Sequence, residues 1–348
     1  MKKNIYDYPL KQLEAYLVTK GEKPFKAKQI FEWLYRFRVG SFEEMTNISK
    51  TTIGLLNEEF VCKLLELVTK QVSSDGTIKY LFRLEDGKFI ETVLMRHNYG
   101  NSICVTSQVG CNMGCAFCAS GELKKIRNLT IGEMVLQVLM VQKDLDANFQ
   151  RVSNIVVMGI GEPFDNYDTV LEFLRILNYP KGLEIGARHM TVSTCGLVPK
   201  IEQFANFELQ VNLAISLHAS NNELRNQLMK INKIYPLEKL IPAVKKYVEK
   251  TNRRVTFEYI LLSKINDETY HAEELASLIK GINCYVNLIP YNEIDTKPFQ
   301  QTSKSQAESF FEVLKKRGIN ATIRSEHGSD IMAACGQLRA KRLKEEKQ

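Results

Sequence analysis

Three cysteines fall within eight consecutive positions of the stretch SQVGCNMGCAFCASG: Cys111, Cys115 and Cys118. Thiolates this close together in a glycine-containing loop suit a soft metal centre. Structural zinc takes four ligands, commonly as two C-x2-C pairs. No second pair exists here, because the other cysteines (62, 104, 195, 284 and 335) are scattered. Two arrangements are then open. A four-iron cluster on three thiolates leaves one iron free for a substrate or cosubstrate. Alternatively, a structural metal is completed by a distant cysteine. The spacing favours the first.

Other residues could serve such a centre. In MGIGEP (158–163) the glycines permit close backbone approach, and Glu162 can take an ammonium group. Ser193 in VST, Ser216-Leu217-His218 in ISLHAS and Asn292 in PYN stand where strands are expected to end. The alternative for His218 and Asn292 is strand capping, which the alternation they sit in makes the lesser reading. Cys335, in GSDIMAACGQL, taken alone reads as a buried structural thiol, and Cys104 as a core residue. Glu91, in KFIETVLM, faces away from Ile90 and Thr92 by alternation.

The elements that must position these residues follow from periodicity. Residues 1–70 read as helical. In FKAKQIFEWLYRF, Phe25, Ile30, Phe31, Leu34 and Phe37 alternate with Lys26, Lys28, Arg36 and Arg38, a basic amphipathic pattern. FEEMTNISKTTIGLLNEEF adds short helices. The period then changes: TIKYLFRL, a turn at Asp86-Gly87 and KFIETVLM predict a hairpin over 77–95. From residue 103 the pattern is strand, loop, helix, repeated. Strands are predicted at 103–107, 154–159, 189–194, 211–217, 255–262 and 285–290, with helices in TIGEMVLQVLMVQKDL, DTVLEFLRIL and KSQAESFFEVLKKRG. INATIRS could add a strand, and LRAKRLKEEKQ reads as a frayed basic helix. Six such units imply an α/β fold with parallel strands, either an open barrel or a doubly wound sheet. In both, ligands sit at the carboxyl ends of the strands.

Composition narrows the class. No apolar run reaches 18 residues, so no membrane span is expected, and the N-terminus lacks the apolar stretch of a signal peptide. Eight cysteines in 348 residues do not make a disulfide framework, which favours a reducing cytoplasm. The net charge of +7 is concentrated at the ends: residues 1–40 hold nine Lys/Arg against four Asp/Glu, and residues 334–348 five against two. Basic ends around a near-neutral middle suit a polyanionic partner, or form two solvated basic surfaces.

The C-x3-C-x2-C loop after the first strand resembles the radical S-adenosylmethionine (SAM) superfamily. The fuller set CNMGCAFCASG, VVMGIGEP, VSTCG, ISLHA and ACGQL is similar, over almost the full chain, to the RlmN/Cfr family of RNA adenine methyltransferases. The resemblance implies a partial (β/α)6 barrel over 103–335. Before it stand a helical RNA-binding module (1–72) and a hairpin extension (73–102), and a basic tail (336–348) follows. It implies one [4Fe-4S] cluster on Cys111, Cys115 and Cys118, and SAM contacts from Gly161, Glu162, Ser193, Ser216, Leu217, His218 and Asn292. It further implies that two SAM molecules are used per turnover: one methylates Cys335, and the other yields the radical that activates that methyl. Cys104 then resolves the RNA adduct through a transient disulfide with Cys335. Glu91, or alternatively Cys104, takes the ring proton. Adenine carbon 2 is electron-poor and cannot attack a methyl cation donor, which is why a carbon radical is required. The implied substrates are 23S ribosomal RNA at the peptidyl transferase centre and the adenosine beside the tRNA anticodon, with an external one-electron donor such as flavodoxin. The GEPFDNYD stretch resembles the type acting on carbon 2; relatives of the Cfr type act on carbon 8.

Overall fold

The computed structural model describes residues 2–294, 296–325 and 327–331; Cys335 and the basic tail 336–348 lie outside the described residues. The chain opens with β1 (Lys3–Asn4), followed by α1 (Leu10–Thr19), α2 (Phe25–Glu32) and α3 (Lys50–Glu59), and closes this module with β2 (Phe60–Val61), parallel to β1. The amphipathic reading of FKAKQIFEWLYRF holds for Ile30, Phe31 and Leu34, which are buried; Phe25 and Phe37 are exposed. Ser49 caps α3 by accepting the Thr52 N–H.

Four strands follow: β3 (Glu66–Val72), β4 (Ile78–Arg83), β5 (Phe89–His97) and β6 (Gly100–Cys104). β4 and β5 form the expected hairpin. Two expectations need correction. Residues 60–61 and 66–72, read as part of the helical stretch, are strands, so the hairpin is one part of an antiparallel meander. The expected boundary at 102/103 also falls inside β6, which begins three residues earlier than the strand expected at 103–107. β3 escaped detection because it is an edge strand, mostly exposed, with a register irregularity between Leu67 and Thr69 that breaks the period of two.

After a short ladder of β7 (Gln108–Val109) with β8 (Arg127–Asn128), strands and helices alternate. The order is α4 (Ile131–Asp146), β9 (Val152–Val157), α5 (Tyr167–Asn178), β10 (Met190–Thr194), α6 (Val198–Phe204) and β11 (Asn212–Ser216). Then come α7 (Asn222–Leu228), α8 (Leu237–Thr251), β12 (Val255–Leu261), α9 (Thr269–Leu278), β13 (Cys284–Pro290), α10 (Lys304–Lys316) and β14 (Ala321–Ile323). The ten-stranded sheet runs β14-β13-β12-β11-β10-β9-β6-β5-β4-β3. From β14 to β6 every pairing is parallel, and the possible strand in INATIRS is the seventh parallel strand. The sheet curls: Arg324, just past edge strand β14, brings Nη2 to 3.7 Å from Sδ of Met95 on β5. One continuous apolar core joins the N-terminal module, the sheet and the helices. Among the described residues, no helix is long and apolar enough to cross a membrane.

Candidate active site

The β7–β8 ladder pinches the cysteine loop at its base. Within it, Cys111 N–H donates to Leu123 O (2.8 Å) and Cys118 N–H to Cys115 O (3.2 Å). Gly110 has φ +78°, and a Cβ there would lie 2.3 Å from Lys124 O, so the turn into the loop requires glycine. On its far side the loop docks on α7, where Ala116 N–H donates to Leu228 O (2.9 Å).

All three cysteines line a cavity of about 360 Å³ at the carboxyl ends of the strands. Burial pushes the Cys111 thiol up to about 11 and raises Cys115 too, with the neighbouring thiols adding to both shifts. Three crowded, half-buried thiols ionise together only when a cation neutralises them. This donor set fits a thiolate-bound metal centre. Among the described residues no three His, Cys, Asp or Glu side chains converge closely enough for a single ion. A multinuclear cluster takes each thiolate at a different iron, so it does not require the three to meet at one ion.

Gly161, Glu162, Ser193, Ser216, His218 and Asn292 line the same cavity. Gly161 (φ +109°) lets the backbone pass over Gln108, whose Cβ would lie 2.6 Å from an added Cβ. Gln108 in turn accepts the Glu162 N–H (2.9 Å) and donates to Asn128 and Asp165, tying the Glu162 loop to the base of the cysteine loop. The Glu162 carboxylate is buried. Its two oxygens accept the N–H groups of Phe164 (3.0 Å) and Cys195 (2.8 Å). Burial raises its pKa and those N–H groups oppose the rise, leaving a fixed carboxylate at the cavity wall that a ligand cation would complete. Ser193 and Ser216 place their hydroxyls 3.3 Å apart on adjacent strands. His218, in the left-handed region (φ 58°), accepts the Ile260 N–H at Nδ1 (3.1 Å) and meets Phe117 edge-to-face. Burial and the Arg225 charge hold its pKa at about 3, so the ring is neutral with its proton on Nε2. Asn292 sits exposed beyond the end of β13. Leu217 is the exception: its side chain is fully buried in the core and does not line the cavity, although its main chain stands between two residues that do.

On β5, Thr92 turns toward α4 and donates to Gln137 (2.9 Å), so Glu91 and Val93 face the other way. Val93 lines the cavity and pairs directly with Cys104 on β6. Glu91, Val93 and Cys104 therefore share the cavity-side face of the sheet. The structure also brings in residues that periodicity did not single out. Arg225, fully buried on α7, donates to the carbonyls of Cys195 (2.7 Å), Ser216 (3.3 Å) and Leu217 (3.2 Å), fastening the ends of β10 and β11. Glu258 on β12 and Arg324 also reach the cavity. Glu258 stands inside the strand VTFEYILL, where a single charged residue is ordinary strand alternation.

Residues 105–276 match the Radical SAM superfamily, and residues 3–61 match the ribosomal RNA large subunit methyltransferase N-terminal domain. A probable dual-specificity RNA methyltransferase RlmN from Geobacillus kaustophilus is 61% identical over 345 residues, covering 99% of this chain and 94% of that one. One from Spiroplasma citri is 58% identical over 338 residues, 97% of each chain. The chain belongs to the RlmN family. The crystal structure of a radical SAM methyltransferase from Sphaerobacter thermophilus superposes with a TM-score of 0.92 at 45% identity, covering 96% of this chain and 98% of that one. Radical SAM enzymes use a [4Fe-4S] cluster and SAM, so the RlmN-family chain is a SAM-dependent methyltransferase with a cysteine loop suited to that cluster. Its relatives' shared name also favours RlmN chemistry over the Cfr alternative.

Proposed function

We propose that this chain methylates carbon 2 of adenosine in 23S ribosomal RNA, at the peptidyl transferase centre, and beside the anticodon in tRNA. One observation carries the reading. Three thiols, a fixed carboxylate and strand-end polar groups converge on one cavity, in a chain alike over nearly its whole length to dual-specificity RNA methyltransferases.

Cys111, Cys115 and Cys118 hold the [4Fe-4S] cluster. Glu162 takes the SAM ammonium, and Gly161 lets the backbone approach the ligand. Ser193, Ser216, His218 and Asn292 orient the rest of SAM; Leu217 contributes through its main chain. With SAM bound, the cluster supplies one-electron chemistry and a source of alkyl radical. Cys335 accepts a methyl on its sulfur as the thiolate nucleophile. Once the methyl carbon on Cys335 is bonded to the adenine, Cys104, on the cavity-side face beside Val93, would attack the Cys335 sulfur; the sulfur–carbon bond breaks, the released carbon takes a proton to become the RNA methyl group, and the disulfide left behind is reduced by an external thiol. Glu91, two residues before Val93 on that face, accepts the ring proton, with Cys104 the rival acceptor. The module over 3–61 and the basic ends contact RNA phosphates. A flavodoxin-type donor supplies the electron, and the enzyme works in the cytoplasm.

Mass spectrometry of nucleosides from cells lacking the chain tests this reading. Loss of 2-methyladenosine from 23S rRNA and tRNA is expected. Loss of 8-methyladenosine alone would reverse the regiochemistry, and no change in either would end the assignment.

A further inference from the structure

The cavity holds a second buried carboxylate besides Glu162. Glu258 is 4% exposed and lines the cavity. Its Oε1 accepts the Asn287 side-chain N–H at 3.0 Å, which fixes the carboxylate plane. Its Oε2 is buried and has no hydrogen-bond partner among the described residues. A buried acceptor left open costs about 1–3 kcal/mol, more when charged, so such an atom in a cavity points to a donor on a ligand. The same cavity is lined by Arg324, whose main-chain N–H is fastened to Leu288 O (2.8 Å) and whose guanidinium touches Met95. Burial raises the Glu258 pKa and the Arg324 charge opposes it, so the two groups sense each other across the pocket.

The wall therefore offers a charged acceptor and a charged donor. Adenine presents a matching pair on either polar edge: the exocyclic N6 amino group as donor, with N1 or N7 beside it as acceptor. Guanine and hypoxanthine place a carbonyl oxygen at position 6, which a carboxylate repels. We propose that Glu258, held by Asn287 and with Arg324 lining the same cavity, reads the N6 amino group of the target adenine and sets the base specificity of the site. This rests on the adenosine-methylating reading given above. The other donors within reach of such a site are the ribose hydroxyls of SAM, and the test separates the two.

The test uses cluster-loaded protein and a short RNA carrying one target adenosine, or the same RNA with purine riboside, which lacks the N6 amino group, at that position. RNA affinity is read by fluorescence anisotropy, kcat/KM by methyl transfer, and SAM affinity by calorimetry. The unsubstituted chain is expected to favour adenosine by about 30-fold, the worth of one hydrogen bond to a charged group. In Glu258→Gln that ratio should collapse to within about threefold while SAM affinity is kept. Asn287→Ala, which frees the carboxylate without removing it, should give an intermediate ratio and decides the matter if Glu258→Gln does not fold. An unchanged ratio in the folded variants overturns the proposal. So does a weakened SAM affinity at constant ratio, which would assign Glu258 to the SAM ribose. If the unsubstituted chain fails to methylate adenosine at all, the functional reading falls first.

Discussion

His218 links burial to pH at a single residue. Its ring is buried, accepts a main-chain N–H at Nδ1 and feels the Arg225 charge, so its folded pKa is depressed to about 3. The unfolded chain, with the usual value of about 6.5, binds more protons between those limits. Stability is thus fully present above about pH 6.5 and falls as the pH drops toward 3, by up to about 1.4 kcal/mol per unit. Chemical denaturation of the iron-free chain across pH 4–7 should show this slope, and His218→Gln should flatten it. Equal slopes in the two proteins would show that the ring does not sense its burial. Much of the site's chemistry was legible residue by residue. The cysteine spacing named a thiolate cluster, and Glu162 was marked by the glycines around it. Arg225 and Glu258 were not legible, because one lies in an ordinary amphipathic helix and the other in an ordinary strand, and only the fold turns them inward. Leu217 was legible as part of ISLHAS, but the strand pleat sends its side chain to the core.

At the scale of elements, α4 carries the most telling local signal. Thr130 accepts the Glu133 N–H, Glu133 accepts the Thr130 N–H at 2.9 Å, and Asp7 from the N-terminal module accepts the Gly132 N–H at 2.9 Å. The helix start is thus satisfied by its own capping box and by a second part of the chain. Thr130→Ala should lower stability by about 1 kcal/mol in urea denaturation. An unchanged midpoint would mean that Asp7 alone suffices as a cap. The capped helices and the buried parallel strands were readable because length, period and caps agree there. The six expected parallel strands are present; β12 starts where expected and the other five start one to three residues away. β3 was not readable: its exposed, bulged sequence carries no core pattern, and its place is set by its pairing with β4.

For the whole molecule, the N-terminal module is fastened along α4. Asp7 meets its start, and Arg38 pairs with Asp146 at its end (2.8 Å). Phe31 meets Tyr179 edge-to-face at 5.8 Å. With one apolar core spanning module and sheet, calorimetry of the iron-free chain should show a single cooperative transition. Two separate transitions would mean that the module folds on its own. The proposed function depends on a cluster held by three thiolates with one iron open to SAM. Iron analysis and low-temperature electron paramagnetic resonance on anaerobically purified protein test that most directly. The account predicts about four irons per chain, a reduced-cluster signal that changes when SAM is added, and loss of both in Cys115→Ala. Protein without iron, or a cluster signal that SAM leaves untouched, would contradict it.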